Sequence, residues 1–437
     1  MIRVLVPLAL ALVAALPLRA QVAVQEITSP GGIDAWLVEE RSIPFVALEL
    51  SFRGGAVLDP EGLEGVTSLM ASMLSEGAGE LDSRAFAARS EALATSFRFS
   101  AGQDTMTISA SMLTENRDEA AALLRLALAE PRFDADALER LRARAISGAR
   151  SDERNPSAIA GRAFAALFYD GHPYALRPDG TVESLGAITR DDLIAQRDRV
   201  MARDRLHVAA VGDIDAEELG ALLDYLLGWL PETGAPLPRH AEAVLRPGLT
   251  VIDFDGPQSV VLFGHAGIAR QDEDFLPAFV MMEAFGGGRF GTRLMREVRV
   301  ARGLTYGIGA YLVSRTFGET VRGQFSTDNA RVAEAIAAVR AEWARMAEAG
   351  LSEDELADIQ TYLTGAYPLR FDGNANIAGI LVGMQLQGLP ADYMTYRNDL
   401  VDALTVDEIA AIAARVLDPE ALHFVVVGRP VGLDTGN

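Results

Sequence analysis

The sequence predicts an α+β protein of two homologous domains, each with helices packed on a mostly antiparallel sheet. Three observations predict it. The chain matches itself at a constant offset of 216 residues: Ala187-Ile188-Thr189-Arg190-Asp191-Asp192-Leu193 aligns with Ala403-Leu404-Thr405-Val406-Asp407-Glu408-Ile409, and Leu206-His207-Val208-Ala209-Ala210-Val211-Gly212 with Leu422-His423-Phe424-Val425-Val426-Val427-Gly428. A Pro-rich stretch of uneven polarity, Leu230-Pro231-Glu232-Thr233-Gly234-Ala235-Pro236-Leu237-Pro238, separates the two copies and has the character of a linker. The strands are unevenly spaced rather than in strict βαβ alternation, which favours antiparallel pairing.

The elements follow in chain order. Met1-Ile2-Arg3 is a basic start, Val4 to Leu18 is an apolar run broken by Pro7 and Pro17, and Leu18-Arg19-Ala20 ends on a small residue. This reads as a signal peptide over residues 1–20, cut after Ala20, and implies export to the periplasm or beyond. The first domain is expected over 21–230, a linker over 231–246 and the second domain over 247–437. Val46, Leu48, Leu50 and Phe52 alternate with Ala47, Glu49 and Ser51, so this segment predicts a strand with one buried face, and Ser259 to Phe263 takes the same role in the second copy. Val66, Leu69, Met70, Met73 and Leu74 recur at helical spacing within residues 65–77, leaving Ser68, Ala71 and Ser72 on the opposite face. Asp134 to Ala149 and Ser352 to Ala366 are matching helices, the second opened by a capping box, Ser352-Glu353-Asp354-Glu355. Thr189 and Thr405 open helices in the same way, and the apolar runs after them close on Gly212 and Gly428.

Composition narrows the function. The chain has 437 residues, 49% of them hydrophobic, which is enough for two sizeable cores. It has no Cys, which excludes disulfides and thiolate metal sites. Its five His (His172, His207, His240, His265, His423) are scattered, and each reads as a strand or loop histidine. All its basic residues are Arg, and a formal net charge of −22 opposes binding to nucleic acid or anionic lipid. Gly286-Gly287-Gly288-Arg289-Phe290-Gly291 lacks the ending of a phosphate loop and follows a helix, so it reads as a turn where backbones pass closely. Glu353-Asp354-Glu355 lacks the spacing of a calcium loop.

The helix at 65–77 resembles the H-x-x-E-H helix of the pitrilysin or insulinase-type (M16) zinc peptidases, with the slots here reading Ser68-Leu69-Met70-Ala71-Ser72. The resemblance extends over almost the whole mature chain. It includes Phe168 to Tyr174 with Gly180-Thr181, the segment Leu276 to Gly288, and Arg293-Leu294-Met295-Arg296-Glu297-Val298-Arg299-Val300-Ala301-Arg302-Gly303-Leu304-Thr305-Tyr306. It implies the M16/LuxS-like metallohydrolase fold. It also implies that the family's third zinc ligand would fall near Gly148, before Asp152-Glu153-Arg154-Asn155-Pro156, where no ligating residue stands. With both His, the general base and the distal Glu replaced, no metal or catalytic residue is expected in this chain. The resemblance further implies that Arg299 and Tyr306 bind peptide substrate: Arg supplies donors for carbonyls or a carboxylate, and Tyr offers a hydroxyl. The bland alternative is that Arg299 makes a surface ion pair and Tyr306 packs. The expected function is a non-catalytic subunit that pairs with a zinc-bearing H-x-x-E-H chain in a heterodimeric peptidase. The alternative is an inactive structural or peptide-binding protein, like the core subunits of respiratory complexes that resemble this family.

Overall fold

A computed structural model describes residues 23–241 and 246–433; the expected signal peptide lies outside the described residues, as does part of the linker. In chain order β1 (Gln25–Thr28), β2 (Asp34–Glu39) and β3 (Phe45–Arg53) lead into α1 (Val66–Met73), a short hairpin of β4 (Gly77–Ala78) and β5 (Leu81–Asp82), α2 (Ser83–Ala92), β6 (Ser96–Ala101) and β7 (Thr105–Leu113). Five helices follow, α3 (Arg117–Ala129), α4 (Ala135–Asp152), α5 (Pro156–Phe168), α6 (Val182–Ala187) and α7 (Arg190–Val200), then β8 (Leu206–Gly212) and α8 (Ala216–Leu227). The second half runs β9 (Gly248–Ile252), β10 (Gln258–Ala266), α9 (Phe275–Gly286), β11 (Ile308–Arg315), β12 (Gly318–Asp328) and α10 (Val332–Ala349). It closes with α11 (Glu353–Ala366), α12 (Asn374–Leu386), α13 (Tyr393–Asp402), α14 (Val406–Val416) and β13 (His423–Val427).

The duplication is visible in the sheets. The first has the order β1-β2-β8-β3-β7-β6 and the second β11-β12-β10-β13-β9, so apart from β1 the two orders correspond strand for strand. In each, one pair is parallel, β2 with β8 and β9 with β13, and the remaining pairs are antiparallel. The local signals sit where the sequence places them. Thr189, Ser352 and Thr405 each cap a helix through the reciprocal side-chain and backbone bonds of a capping box. Gly212 (φ 142°) and Gly428 (φ 156°) end equivalent strands where a Cβ would lie 2.2 Å from the Phe45 carbonyl oxygen and from Ser259 Oγ respectively.

The prediction of one buried face for β3 is corrected. Ala47 and Ser51 are as buried as Leu48 and Leu50, because α12 of the second half lies across β3 and β8. Ala378, Leu381 and Val382 of that helix form a separate apolar cluster with Val38, Ala47, Ala209 and Val211. The reverse also occurs: α5 of the first half packs on β10 and β13, where Phe164 and Phe168 join one core with Leu262, Val425 and Val427. Gly264 makes room there, since a Cβ at that position would meet the Val321 carbonyl oxygen at 2.1 Å and the Phe164 ring at 3.2 Å. Each half therefore lends one helix to the other's sheet.

A second seam joins the tips of two hairpins. The buried Tyr174 hydroxyl donates to Asp104 Oδ1 (2.6 Å) in the β6–β7 turn and accepts from the Phe317 amide (2.9 Å) in the β11–β12 turn. The Thr316 amide donates to Asp104 Oδ2 (3.0 Å). Burial and the adjacent Asp104 carboxylate push the Tyr174 hydroxyl far above its ordinary range, so it stays protonated as a donor. The linker is tied down along its described length: the Arg203 and Asp204 amides donate to the carbonyls of Pro231 and Glu232, Ala235 donates to Arg199, and Ala241 donates to Phe317. Among the described residues no helix is long and apolar enough to cross a membrane.

Candidate functional site

Two places answer to the residues singled out in the sequence. The first is a cleft of about 630 Å³ between α1 and α4. Ser68, Ser72 and Gly148 all line it, so the structure brings together the three slots that the resemblance had assigned to two helices. The helix is oriented by Asp59, whose carboxylate accepts from the Gly65 amide (2.8 Å), the Thr67 amide (3.2 Å) and the Thr67 hydroxyl. Burial raises that carboxyl to about 6, against the pull of those three bonds. The placement of Ala71 is corrected: it is buried, because α4 and α7 flank α1, and the cleft is faced instead by Ser68, Leu69, Ser72 and Ser75.

The donors in this cleft do not fit zinc. Ser72 Oγ is spent on the Ser68 carbonyl (2.9 Å), Gly148 has no side chain, and the nearby Glu76 is held by Arg140 and Ser83. A catalytic zinc needs His, Cys or carboxylate ligands converging on one point. Among the described residues no three such side chains converge. The five His have local partners or none. Trp343 Nε1 donates to His265 Nε2 (3.1 Å), while the His265 Nδ1 proton bonds the Ala266 carbonyl. His423 bridges Thr250 Oγ1 and the Arg246 carbonyl, His172 bonds the Arg239 carbonyl, and His240 meets Glu319 at 3.0 Å. His207 is half-buried beside Arg53, and burial and that cation lower its imidazole to about 4.

The second place is the segment that follows α9. Gly286 lets α9 end against β11, since a Cβ there would meet the Ala310 amide nitrogen at 2.6 Å. A π-helical stretch over Met295–Ala301 then carries Arg299. Its wider turn suits functional positions, where such insertions recur. Arg293 and Arg296 on the same segment both bond Glu355 of α11, and Arg293 also donates to the Gly350 carbonyl (2.9 Å). Downstream, buried Thr305 donates to the Ser326 carbonyl (2.7 Å), and Thr327 donates to the Leu304 carbonyl. The backbone is thus fastened on both sides of Tyr306.

Between these anchors the side chains of Arg299 and Tyr306 are not tied into the core. Arg299 stacks over the ring of Tyr306 at 5.0 Å and over Phe290 at 4.6 Å. Among the described residues it forms no ion pair, unlike Arg293 and Arg296. Tyr306 is 89% exposed and Phe290 70%, so neither ring is packing the core. The bland alternative, an ion pair for Arg299 and a packed Tyr306, is not what the structure contains. Phe290 was missed in the sequence; its signal was an aromatic one residue beyond a run of glycines, between Arg289 and Gly291. A cleft of about 390 Å³ beginning at Tyr306 runs along β11 and β12 and reaches Ser157 at the start of α5, so residues from both halves line it. The arrangement offers a fixed cation, two exposed π faces and a phenol, all suited to an extended peptide.

Fold and site together define a duplicated α+β protein of the metallohydrolase type whose metal slots hold residues that cannot ligate. The family model described as Insulinase (Peptidase family M16) matches residues 36–176, and the Peptidase M16 inactive domain matches residues 187–363. The chain belongs to the M16 peptidase family, as a member without the family's catalytic machinery. It is 26% identical over 392 residues to the non-peptidase homologue YmxG of Helicobacter pylori, covering 90% of each chain. The crystal structure of a peptidase M16 inactive domain from Pseudomonas fluorescens superposes with a TM-score of 0.87 at 28% identity, covering 93% of this chain and 98% of that one. A protease structure from Helicobacter pylori shares the fold, with a TM-score of 0.81 at 14% identity over 93% of this chain and 99% of that one.

Proposed function

We propose that this chain is the non-catalytic, substrate-binding subunit of an exported heterodimeric M16 peptidase. Zinc belongs to a partner chain bearing intact H-x-x-E-H, and this chain presents Arg299 and Tyr306 to the peptide. The observation that carries this reading is the state of Arg299: it stacks on two exposed rings on a doubly anchored segment, and among the described residues no carboxylate pairs with it. A guanidinium so placed is ready to bind peptide carbonyls or a carboxylate without first breaking an ion pair. Export, to the periplasm or beyond, rests on the apolar leader over residues 1–20.

The test is a peptidase assay on quenched fluorescent peptides with this chain, an H-x-x-E-H partner from the same source, and the two mixed. Activity that appears or rises sharply only on mixing supports the proposal; no gain on mixing overturns it in favour of a structural or peptide-binding protein. In the active mixture Arg299→Ala costs about 1.5–3 kcal/mol of transition-state stabilisation, a loss in kcat/KM of roughly 10- to 150-fold. Because both residues lie outside the core, Arg299→Ala and Tyr306→Ala each leave the thermal midpoint nearly unchanged. A large drop in that midpoint would restore the packing explanation.

A further inference from the structure

A third cavity, also of about 630 Å³, opens between α9, β11, α12 and α13 and shares no residue with the two places above. Three guanidiniums line it, those of Arg270, Arg370 and Arg397, and no Asp or Glu is among its lining residues. This is an unusual convergence in a chain with 61 acidic and 39 basic residues. Arg397 is only 7% exposed; it donates to the Leu363 carbonyl (3.1 Å) and Asn398 Oδ1 (3.0 Å) and stacks over Tyr367 at 4.6 Å. Arg270 donates to Gln387 Oε1 (2.7 Å) and stacks over Phe275 at 4.3 Å. Among the described residues neither has a carboxylate partner, although surface Arg such as Arg415 and Arg429 each hold two. Burial pulls both guanidiniums below their ordinary range, with the Asp402 carboxylate offsetting only part of this at Arg397.

The rest of the wall is mixed: Phe279, Leu312 and Ile380 give it an apolar stretch, while Ser314, Asn376 and Gln387 add neutral polar groups. A Cβ added at Gly379 or Gly383 of α12 would meet nothing within 4 Å, which leaves that wall open. Gly373, at the start of α12, provides no side-chain cap, so the first-turn amides of Ala375 and Asn376 at the cavity's edge remain available to an acceptor. The volume lies within the range of small-ligand sites, which pair an apolar wall with a few polar groups that fix orientation.

We propose that this cavity binds a carboxylate carried on an apolar stem, supplied either by the free C-terminus of a peptide ending in a bulky apolar residue or by a free fatty acid. Arg270, Arg370 and Arg397 hold the carboxylate and the α9–β11–α12 wall holds the stem. The inference stands apart from the heterodimer reading, because every measurement uses this chain alone.

The experiment is isothermal titration of the purified chain with three probes: a short peptide ending in Leu-Phe with a free carboxylate, the same peptide amidated, and decanoate. The free-acid peptide or decanoate binds, identifying which source the cavity accepts, and the amidated peptide binds at least about tenfold more weakly than the free acid where the peptide is the ligand. Arg370→Gln, at an exposed position, weakens the binding of whichever carboxylate binds by a similar factor without altering the circular dichroism spectrum. Arg270→Gln does the same where it folds. Equal binding of acid and amide with no binding of decanoate, or no binding of any probe at millimolar concentration, overturns the proposal. Carboxylate binding that is insensitive to Arg370→Gln in a folded protein also overturns it.

Discussion

Glu355 holds Arg293 and Arg296 at once and also accepts from the Ser352 amide at the start of α11. Burial works against its ionised form, but the bonds from Arg293, Ser352 and Arg296 outweigh it and bring the carboxyl down to about 2. A carboxyl depressed in the folded state contributes stability above its unfolded value of 4.5, and that contribution is lost as pH falls toward about 2. Glu355→Gln is therefore expected to cost about 1–3 kcal/mol in urea unfolding at neutral pH, and the cost shrinks when the same titration is repeated below pH 4.5. At this scale much was legible. The resemblance singled out Ser68, Ser72, Gly148, Arg299 and Tyr306, and the structure brings Ser68, Ser72 and Gly148 to one cleft. Phe290 was not legible as a partner of Arg299, because a turn and a π-helical segment intervene and no periodicity links the two. The three Arg of the third cavity come from separate elements across more than a hundred residues, a convergence that only tertiary packing creates.

At the scale of elements, the capping boxes were read correctly because each is set by neighbours within a few residues. What escaped was the second face of β3. Its alternation announced a solvent side, yet α12 arrives from more than three hundred residues away to cover Ala47 and Ser51. The small side chains at Ala47, Ala209 and Ala378 are the trace of that close approach, but small residues alone do not name what approaches. His207 sits on the strand that α12 covers, and burial with Arg53 beside it lowers its imidazole from 6.5 to about 4. The unfolded chain then binds the extra proton between those values, so stability is full above about pH 6.5 and falls as pH drops toward 4. His207→Gln flattens this slope. Thermal midpoints measured from pH 4 to 7 in both proteins check it, and parallel curves would show that His207 does not titrate in this window.

Over the whole molecule, the halves are joined by exchanged helices and by the hairpin-tip contact around Tyr174. Tyr174→Phe removes the donor to Asp104 and the acceptor for the Phe317 amide, and is expected to cost about 1–3 kcal/mol in thermal unfolding. The same substitution should speed limited proteolysis near the linker. Residues 21–230 and 247–437 expressed as separate chains should each be insoluble or partly unfolded, because each would expose the sheet face that the other half's helix covers. Co-expression that restores a soluble pair would bear this out, whereas two independently folded, monomeric fragments would contradict it. The duplication was legible as an offset repeat, and the architecture followed from it; the interdependence of the copies was not, since the matching segments are silent about which copy each helix serves.

The lending of α5 and α12 between sheets also carries a history. Two copies of one folding unit that trade an equivalent helix are arranged as a swapped dimer is. The simplest ancestor of this chain is thus a single-domain protein that dimerised by such a trade before its gene was joined head to tail. Covalent fusion frees two such copies from identity in sequence while each still needs the other's helix to cover its sheet. Change at Ala378 has consequences at Val211, and change at Phe164 at Val425, so the two copies could specialise in surface chemistry but not in the faces they share.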